Sequence, residues 1–231
     1  MKALLISAMM LLMIGTTLCS EFKVVSVKGK VYVRHNIQEE WTKVAVGDVL
    51  KPDDSMKSDA RSSATILVDN AKKIVIPELV VVDIADFRTL TQEELLLKLA
   101  MEHVRTVPPQ QEGDMQIPRI STLHGASKDQ TEELPVHDSA IGKLELNGTR
   151  VLYTQGYFAT CVLKSKEVFR LYPDLQATGD ARLRVADALE KMRLRGEALH
   201  EYLNIPQAKL TDAQRSVVQE SIVRLKQKKE K

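Results

Sequence analysis

The sequence predicts a mixed α+β protein with more than one domain, in which a small all-β domain precedes an α-helical domain. Apolar and polar residues alternate between residues 22 and 85, as in half-buried strands. At Thr91 the apolar spacing changes to that of a helix, and a later stretch rich in proline and polar residues has the composition of a linker. We therefore predict a signal peptide at 1–20, a β domain at 21–86, a connecting helix at 91–106, a linker at 107–140 and a helical domain at 141–231.

The first twenty residues, MKALLISAMMLLMIGTTLCS, have the layout of an export signal. Lys2 is followed by an uncharged apolar run that ends at Leu18. This run is shorter than the roughly 20 residues that a membrane-spanning helix needs. We expect cleavage after Cys19 or Ser20, a mature chain without a transmembrane span, and a periplasmic or secreted protein. A lipid on Cys19 is the less favoured alternative, because the bulky Leu18 precedes it.

Cysteine content and charge argue against a disulfide-stabilised domain and against a nucleic-acid-binding protein. Of the two cysteines, only Cys161 lies beyond the signal, so an internal disulfide is not expected and packed cores have to supply the stability. The formal net charge is only +2. The basic tail LKQKKEK at 225–231 is typical of a solvated helix end, and no nucleic-acid partner is expected.

Turn residues divide the β region into short strands. Val25, Val27, Val31 and Val33 share one parity, with Gly29 at a bend between them. Further turns are predicted at Gly47-Asp48, at Pro52-Asp53-Asp54-Ser55 and at Asp69-Asn70, where Asn tolerates positive φ. Short strands at this spacing predict a small sandwich, barrel or solenoid.

Capping residues and prolines mark the helices. Thr91 and Glu94 form a capping box for a helix that ends before Pro108-Pro109. A long helical segment is predicted from Asn147-Gly148 to Pro173, and another begins at Asp180. Gly196 is predicted to separate that helix from the next one, and a second capping box, at 211–214, begins the last helix.

The β region resembles the FecR-type periplasmic domain. The resemblance covers roughly residues 24–85 and rests on Gly29-x-Val31-x-Val33, Trp41, Val46-Gly47-Asp48-x-Leu50 and Ser63-Ala64-x-Ile66-x-Val68-Asp69-Asn70. It implies a β module that works by protein contact. We do not expect signalling to a sigma factor, because the sequence has no cytoplasmic segment followed by a membrane span ahead of this region.

The helical region resembles a tetratricopeptide array. Ala186, Leu189, Ala198 and Tyr202 stand at the small, large, small and aromatic positions of one such helix pair. Fewer than the usual three repeats are visible, so these helices are expected to pack also against the 91–106 helix.

The resemblances imply two candidate binding sites. In tetratricopeptide arrays the first helices of the pairs line a groove, and Arg182, Arg184 and Arg193 are predicted to give it a positive charge that suits an acidic protein segment. Trp41 is the second candidate, because exposed tryptophans concentrate binding energy. The alternatives are a solvated helix face for the arginines and a core or rim position for Trp41.

Catalytic and metal signatures do not appear in the sequence. The five histidines lack the close spacing of metal ligands, Cys161 lies among apolar neighbours, and there is no nucleophile elbow or P-loop. We predict no cofactor, no metal and no catalytic residue. The predicted function is a non-enzymatic adaptor or regulator that binds a protein partner in the cell envelope. The alternatives are an envelope- or polysaccharide-binding protein and a hydrolase with an unrecognised site.

Overall fold

The computed structural model describes residues 21–36, 40–106, 138–175 and 179–227. Within these ranges it contains eight strands and six α-helices, which confirms the mixed α+β class. The predicted signal peptide and nearly all of the predicted linker lie outside the described residues. The strands are β1 Phe22–Lys28, β2 Val31–Arg34, β3 Thr42–Lys43, β4 Val49–Leu50, β5 Ser55–Ser58, β6 Ser63–Val68, β7 Lys72–Ile76 and β8 Val80–Asp83. The helices are α1 Gln92–Thr106, α2 Ser139–Thr154, α3 Phe158–Leu171, α4 Gly179–Lys191, α5 Arg195–Leu203 and α6 Asp212–Gln227.

The strands form two antiparallel four-stranded sheets, with the orders β4-β1-β6-β7 and β3-β2-β5-β8. Residues from both sheets contribute to one apolar core, in which Ile66 and Ile74 of the first sheet and Met56 of the second are fully buried. We call residues 21–87 the β unit. Its core needs no disulfide because apolar side chains from both sheets exclude water from the space between them.

The predicted turns are present, but the prediction of which side chains of β1 face the core was wrong. Asp69 and Asn70 join β6 to β7 with φ of 51° and 53°, and Gly29 turns the chain after β1 with φ of 76°. In β1 the buried residues are Phe22 and Val24, whereas Val25 is only partly buried. A shift in the pairing between Val24 and Ser26 changes which side chains face the core, and strict alternation cannot anticipate such a bulge.

The helical region begins earlier than predicted, and its first segment is two helices. Helix α2 begins at Ser139, where the Asp138 carboxylate accepts a hydrogen bond from the backbone N–H of Ala140 at 2.8 Å. The last residues of the predicted linker are therefore helical. Helix α2 ends at Thr154, and Gly156, with φ of 83°, turns the chain into α3.

Gly148 lies inside α2 because the helix crosses the edge of the second sheet there. A Cβ atom at this position would lie 2.1 Å from the carbonyl oxygen of Val81. Strand β8 is at the edge of its sheet, and α2 covers it. The Asn147 side-chain amide also donates a hydrogen bond to the carbonyl of Leu79, just before β8, at 2.9 Å. Val151 and Cys161 pack with the core of the β unit, so these helices complete that core.

The remaining helices form hairpins, and α6 begins with a capping box. Thr211 and Gln214 exchange two hydrogen bonds at the start of α6, as Thr91 and Glu94 do before α1, which confirms both predicted boxes. Helix α1 packs on α3, as expected, and Glu102 accepts a hydrogen bond from Arg170 at 2.9 Å.

The turn between α4 and α5 differs from the prediction. It is made by residues 192–194, with Arg193 at φ of 64°, and Gly196 belongs to the first turn of α5. Among the described helices, none combines the length and apolar composition needed to cross a membrane.

Candidate binding groove

Helices α2, α4 and α6 line an open groove with a volume of about 650 Å³. We call it the helical groove. Volumes of this order are typical of pockets that hold a small molecule or a short segment of a partner chain. Its lining residues are Arg150, Tyr153, Thr154, Asp180, Leu183, Arg184, Asp187, Tyr202, Ala213, Gln214, Val217, Glu220, Ser221 and Arg224.

Arg184 is the cation in this groove whose surroundings point to a ligand. Its side chain is half-buried, and its Nη1 donates a hydrogen bond to the Thr149 hydroxyl at 2.9 Å. Among the described residues no carboxylate pairs with it. Burial lowers the pKa of Arg184 below its ordinary value, and nearby Arg150 lowers it further. An anionic group placed here would compensate the cost of burying the guanidinium and offset its repulsion by Arg150.

Apart from Arg150, the other charged groups of the groove are engaged with protein partners. Arg224 makes a two-pronged pair with Glu190, at 3.1 Å from Nε and 2.8 Å from Nη2. The Tyr153 hydroxyl donates to the Asp187 carboxylate, and burial together with this bond raises the pKa of Tyr153. Asp180 and Glu220 accept hydrogen bonds from the side chains of Gln214 and Ser216, and their negative charges also line the groove. The positive charge is therefore local to Arg150 and Arg184.

The structure does not bring the three predicted arginines together. Arg182 lies in a separate cleft of about 470 Å³, where its guanidinium is 5.0 Å from the centre of the Phe169 ring. Arg193 is exposed at the α4–α5 turn and lines neither cleft. Residues two positions apart on a helix point to nearly opposite sides, so Arg182 and Arg184 cannot serve one groove.

Trp41 lies on the β unit, and its ring has cationic neighbours. The Arg34 guanidinium is 5.0 Å and the Lys57 ammonium 5.1 Å from the ring centre. The side chain is neither fully buried nor fully exposed. Cation–π contacts of this kind stabilise the position of the ring, which suits a rim residue of the domain. Trp41 is thus not part of the helical groove.

Arg150 and Tyr153 contribute to the groove and were missed in the sequence. They stand three positions apart on α2, which is the spacing of neighbours on one helix face. The sequence predicts one continuous helical segment from 147 to 173, so the turn at Gly156, which makes α2 the first helix of a hairpin, was missed. Their shared helix face was therefore the signal in the sequence that could have placed both in one site.

Cys161 and Lys164 differ in the way that they are buried. Burial raises the pKa of Cys161 to about 12, so its thiol is not ionised at neutral pH. Lys164 contacts Asp83 at 2.8 Å and Glu167 at 3.1 Å. Although burial alone lowers the pKa of Lys164, these carboxylates raise it overall, and the ammonium stays charged. Within the described ranges, no three His, Cys, Asp or Glu side chains are grouped as a metal site.

We expect the Cys161 thiol to be unreactive in the folded protein. A thiol reagent such as 5,5′-dithiobis(2-nitrobenzoate) should label it only in denaturant, because both burial and the raised pKa suppress the thiolate. The measurement is the rate of labelling at neutral pH with and without urea, on the chain that lacks Cys19. Equal rates in the two conditions would contradict the position of Cys161 in the core.

This chain matches no protein-family model, no curated protein and no solved structure. What the helical groove binds therefore has to follow from its own shape and charge.

Proposed function

We propose that this protein is an exported, non-enzymatic adaptor of the cell envelope that binds an acidic segment of a partner protein in the helical groove. In this proposal residues 24–85 are a FecR-type domain, and α2 to α6 are a tetratricopeptide-like array. The observation that carries it is Arg184, a half-buried guanidinium with a hydroxyl partner but no carboxylate among the described residues. Such a group favours a ligand that supplies the missing negative charge.

The shape of the groove supports a segment of a chain as the ligand. Helices α2 and α4 are the first helices of their hairpins, and α6 extends the same wall, so most lining residues come from alternate helices of the chain. The exposed apolar Val217 lines the same groove as the basic Arg150 and Arg184. An extended segment with acidic and apolar side chains would satisfy both kinds of position.

We expect Arg184→Gln to weaken binding of a glutamate-rich decapeptide about 10-fold or more. Loss of a charge-assisted hydrogen bond costs about 1.5–3 kcal/mol, which corresponds to this change in affinity. The measurement is fluorescence anisotropy with the labelled peptide at low and high salt, together with a lysine-rich decapeptide that should not bind. Affinity should fall as salt screens the charges.

The matched control is Arg193→Gln, which removes the same charge from an exposed position outside the groove. This variant should bind the acidic peptide as the unmodified chain does. If both variants lose affinity equally, the attraction is a property of net charge alone. If neither variant changes binding, or the acidic peptide does not bind, the proposed function is wrong.

The alternative of polysaccharide binding would use the β unit and Trp41. The cationic neighbours of the ring favour an anionic polymer over a neutral one. Sedimentation with isolated cell-wall polymer separates the two proposals: co-sedimentation that is lost in Trp41→Ala and kept in Arg184→Gln would favour this alternative.

A further inference from the structure

A second cleft lies between the β unit and the helices. The 3-10 turn Ile84–Asp86, helix α1 and helix α3 surround it, and its volume is about 650 Å³. We call it the junction cleft. Phe22, Leu90 and Leu163 are among its apolar lining residues, and Met101 of α1 is another. The size and the apolar walls are those of a site for a small organic molecule.

The Asp86 carboxylate lines the interior of the junction cleft without a protein partner among the described residues. No hydrogen bond or ion pair in the described part of the chain reaches its carboxylate. Burial raises the pKa of Asp86 to about 7, and the neighbouring Asp83 carboxylate adds to the effect. A carboxylate in these surroundings is costly to ionise unless a cation approaches it.

Lys164, the cation that acts most strongly on Asp86, is already engaged. Lys164 contacts Asp83 and Glu167 at 2.8 and 3.1 Å. From the other elements, Glu145 of α2 also faces this group of charges, and burial raises its pKa. Arg88 and Lys98 line the cleft from exposed positions. The unmatched charge inside the cleft is therefore negative, while its rim is positive.

We propose that the junction cleft binds a small molecule with one protonated amine on an apolar body. The ammonium would pair with the Asp86 carboxylate, and the apolar body would lie against Phe22, Leu90 and Met101. The positive rim disfavours polyamines, because a second ammonium would lie near Arg88 or Lys98. The junction cleft and the helical groove share no lining residue, so a test of this proposal does not depend on the proposed function.

The test uses 2-phenylethylamine as the probe and 2-phenylethanol as its uncharged counterpart. Isothermal titration calorimetry is carried out on the chain from residue 21 to residue 231 at about pH 8. The amine should bind at least about 10-fold more tightly than the alcohol. Because the amine binds the ionised carboxylate, its affinity should fall about 10-fold per pH unit below pH 7. Asp86→Asn should remove this preference, while the rim variant Lys98→Ala should keep or strengthen it.

The pH dependence of the free energy of unfolding shows whether Asp86→Asn is folded and whether Asp86 is a half-buried acid with a raised pKa. The folded-state pKa of about 7 lies above the ordinary 3.8, so the carboxyl costs stability progressively as pH rises from about 4 through 7. Asp86→Asn should therefore gain stability relative to the unmodified chain at about pH 8 and none near pH 4. Absence of amine binding, equal binding of the alcohol, or an amine preference that persists in Asp86→Asn would overturn the proposal.

Discussion

Replacing Gly148 by valine is expected to destabilise the protein by roughly 3 kcal/mol or more, because no side chain fits between α2 and β8. A Cβ at Gly148 would lie 2.1 Å from the Val81 carbonyl oxygen and 3.0 Å from the Val82 Cγ1 atom. A backbone atom cannot rotate away as a flexible side chain can, so the helix would have to leave the sheet edge. The free energy of unfolding, from urea denaturation followed by circular dichroism, is the measurement.

Gly196→Ala is the control for adding a Cβ atom to a helical glycine. Gly196 is also helical, but a Cβ there would meet no atom within 4 Å. The alanine should leave stability unchanged or raise it by up to about 1 kcal/mol, since alanine is the better helix former. Equal stability of Gly148→Val and the unmodified chain would show that α2 does not lie against β8 as described.

Lys164→Met is expected to destabilise the protein by roughly 2–3 kcal/mol at neutral pH. The Lys164 side chain is 14% exposed and that of Asp83 33%, so the loss should be below the 3–5 kcal/mol typical of a fully buried pair. Burial alone raises the pKa of Asp83, but Lys164 holds it below its usual range. Without the ammonium, Asp83 becomes a carboxylate in surroundings that disfavour its charge.

The double variant Lys164→Met/Asp83→Asn separates the ion pair from simple packing. It should be more stable than Lys164→Met alone, because no uncompensated charge is left, and the coupling energy should be about 0.5–3 kcal/mol. The lowered pKa of Asp83 contributes stability above its unfolded value of 3.8 and loses it as pH falls. The deficit of Lys164→Met should therefore shrink below about pH 4. A pH-independent deficit with no coupling would show that the loss is one of packing.

The sequence predicted the elements well where local chemistry decides them. The capping residues Thr91 and Thr211 and the turn at Asp69-Asn70 act through their own backbone neighbours, so their positions can be predicted without a tertiary structure. The same holds for the division into a strand-rich and a helix-rich part. These features depend on periods and turns within short windows.

Features that depend on contacts distant in sequence could not be predicted in this way. Gly148 looks like a helix boundary in isolation, and only the approach of β8 explains a glycine inside α2. Asp83 and Lys164 are 81 residues apart, and nothing local pairs them. The residues that line the helical groove could not be predicted either, because the turn at Gly156 was missed and two arginines on opposite sides of α4 were assigned to one surface.

The most direct test of the helical groove is photocrosslinking in the native host from two positions on α6. Val217 lines the groove and is 51% exposed, whereas Val223 lies outside it and is 54% exposed, so exposure is matched and only location differs. With p-benzoylphenylalanine at position 217, we expect a discrete adduct to one envelope protein, weakened by Arg184→Gln and unaffected by Arg193→Gln. The residue at position 223 should give no such adduct. Equal adducts from both positions, or an adduct from 217 that is insensitive to Arg184→Gln, would contradict the proposal that this groove binds an acidic partner segment.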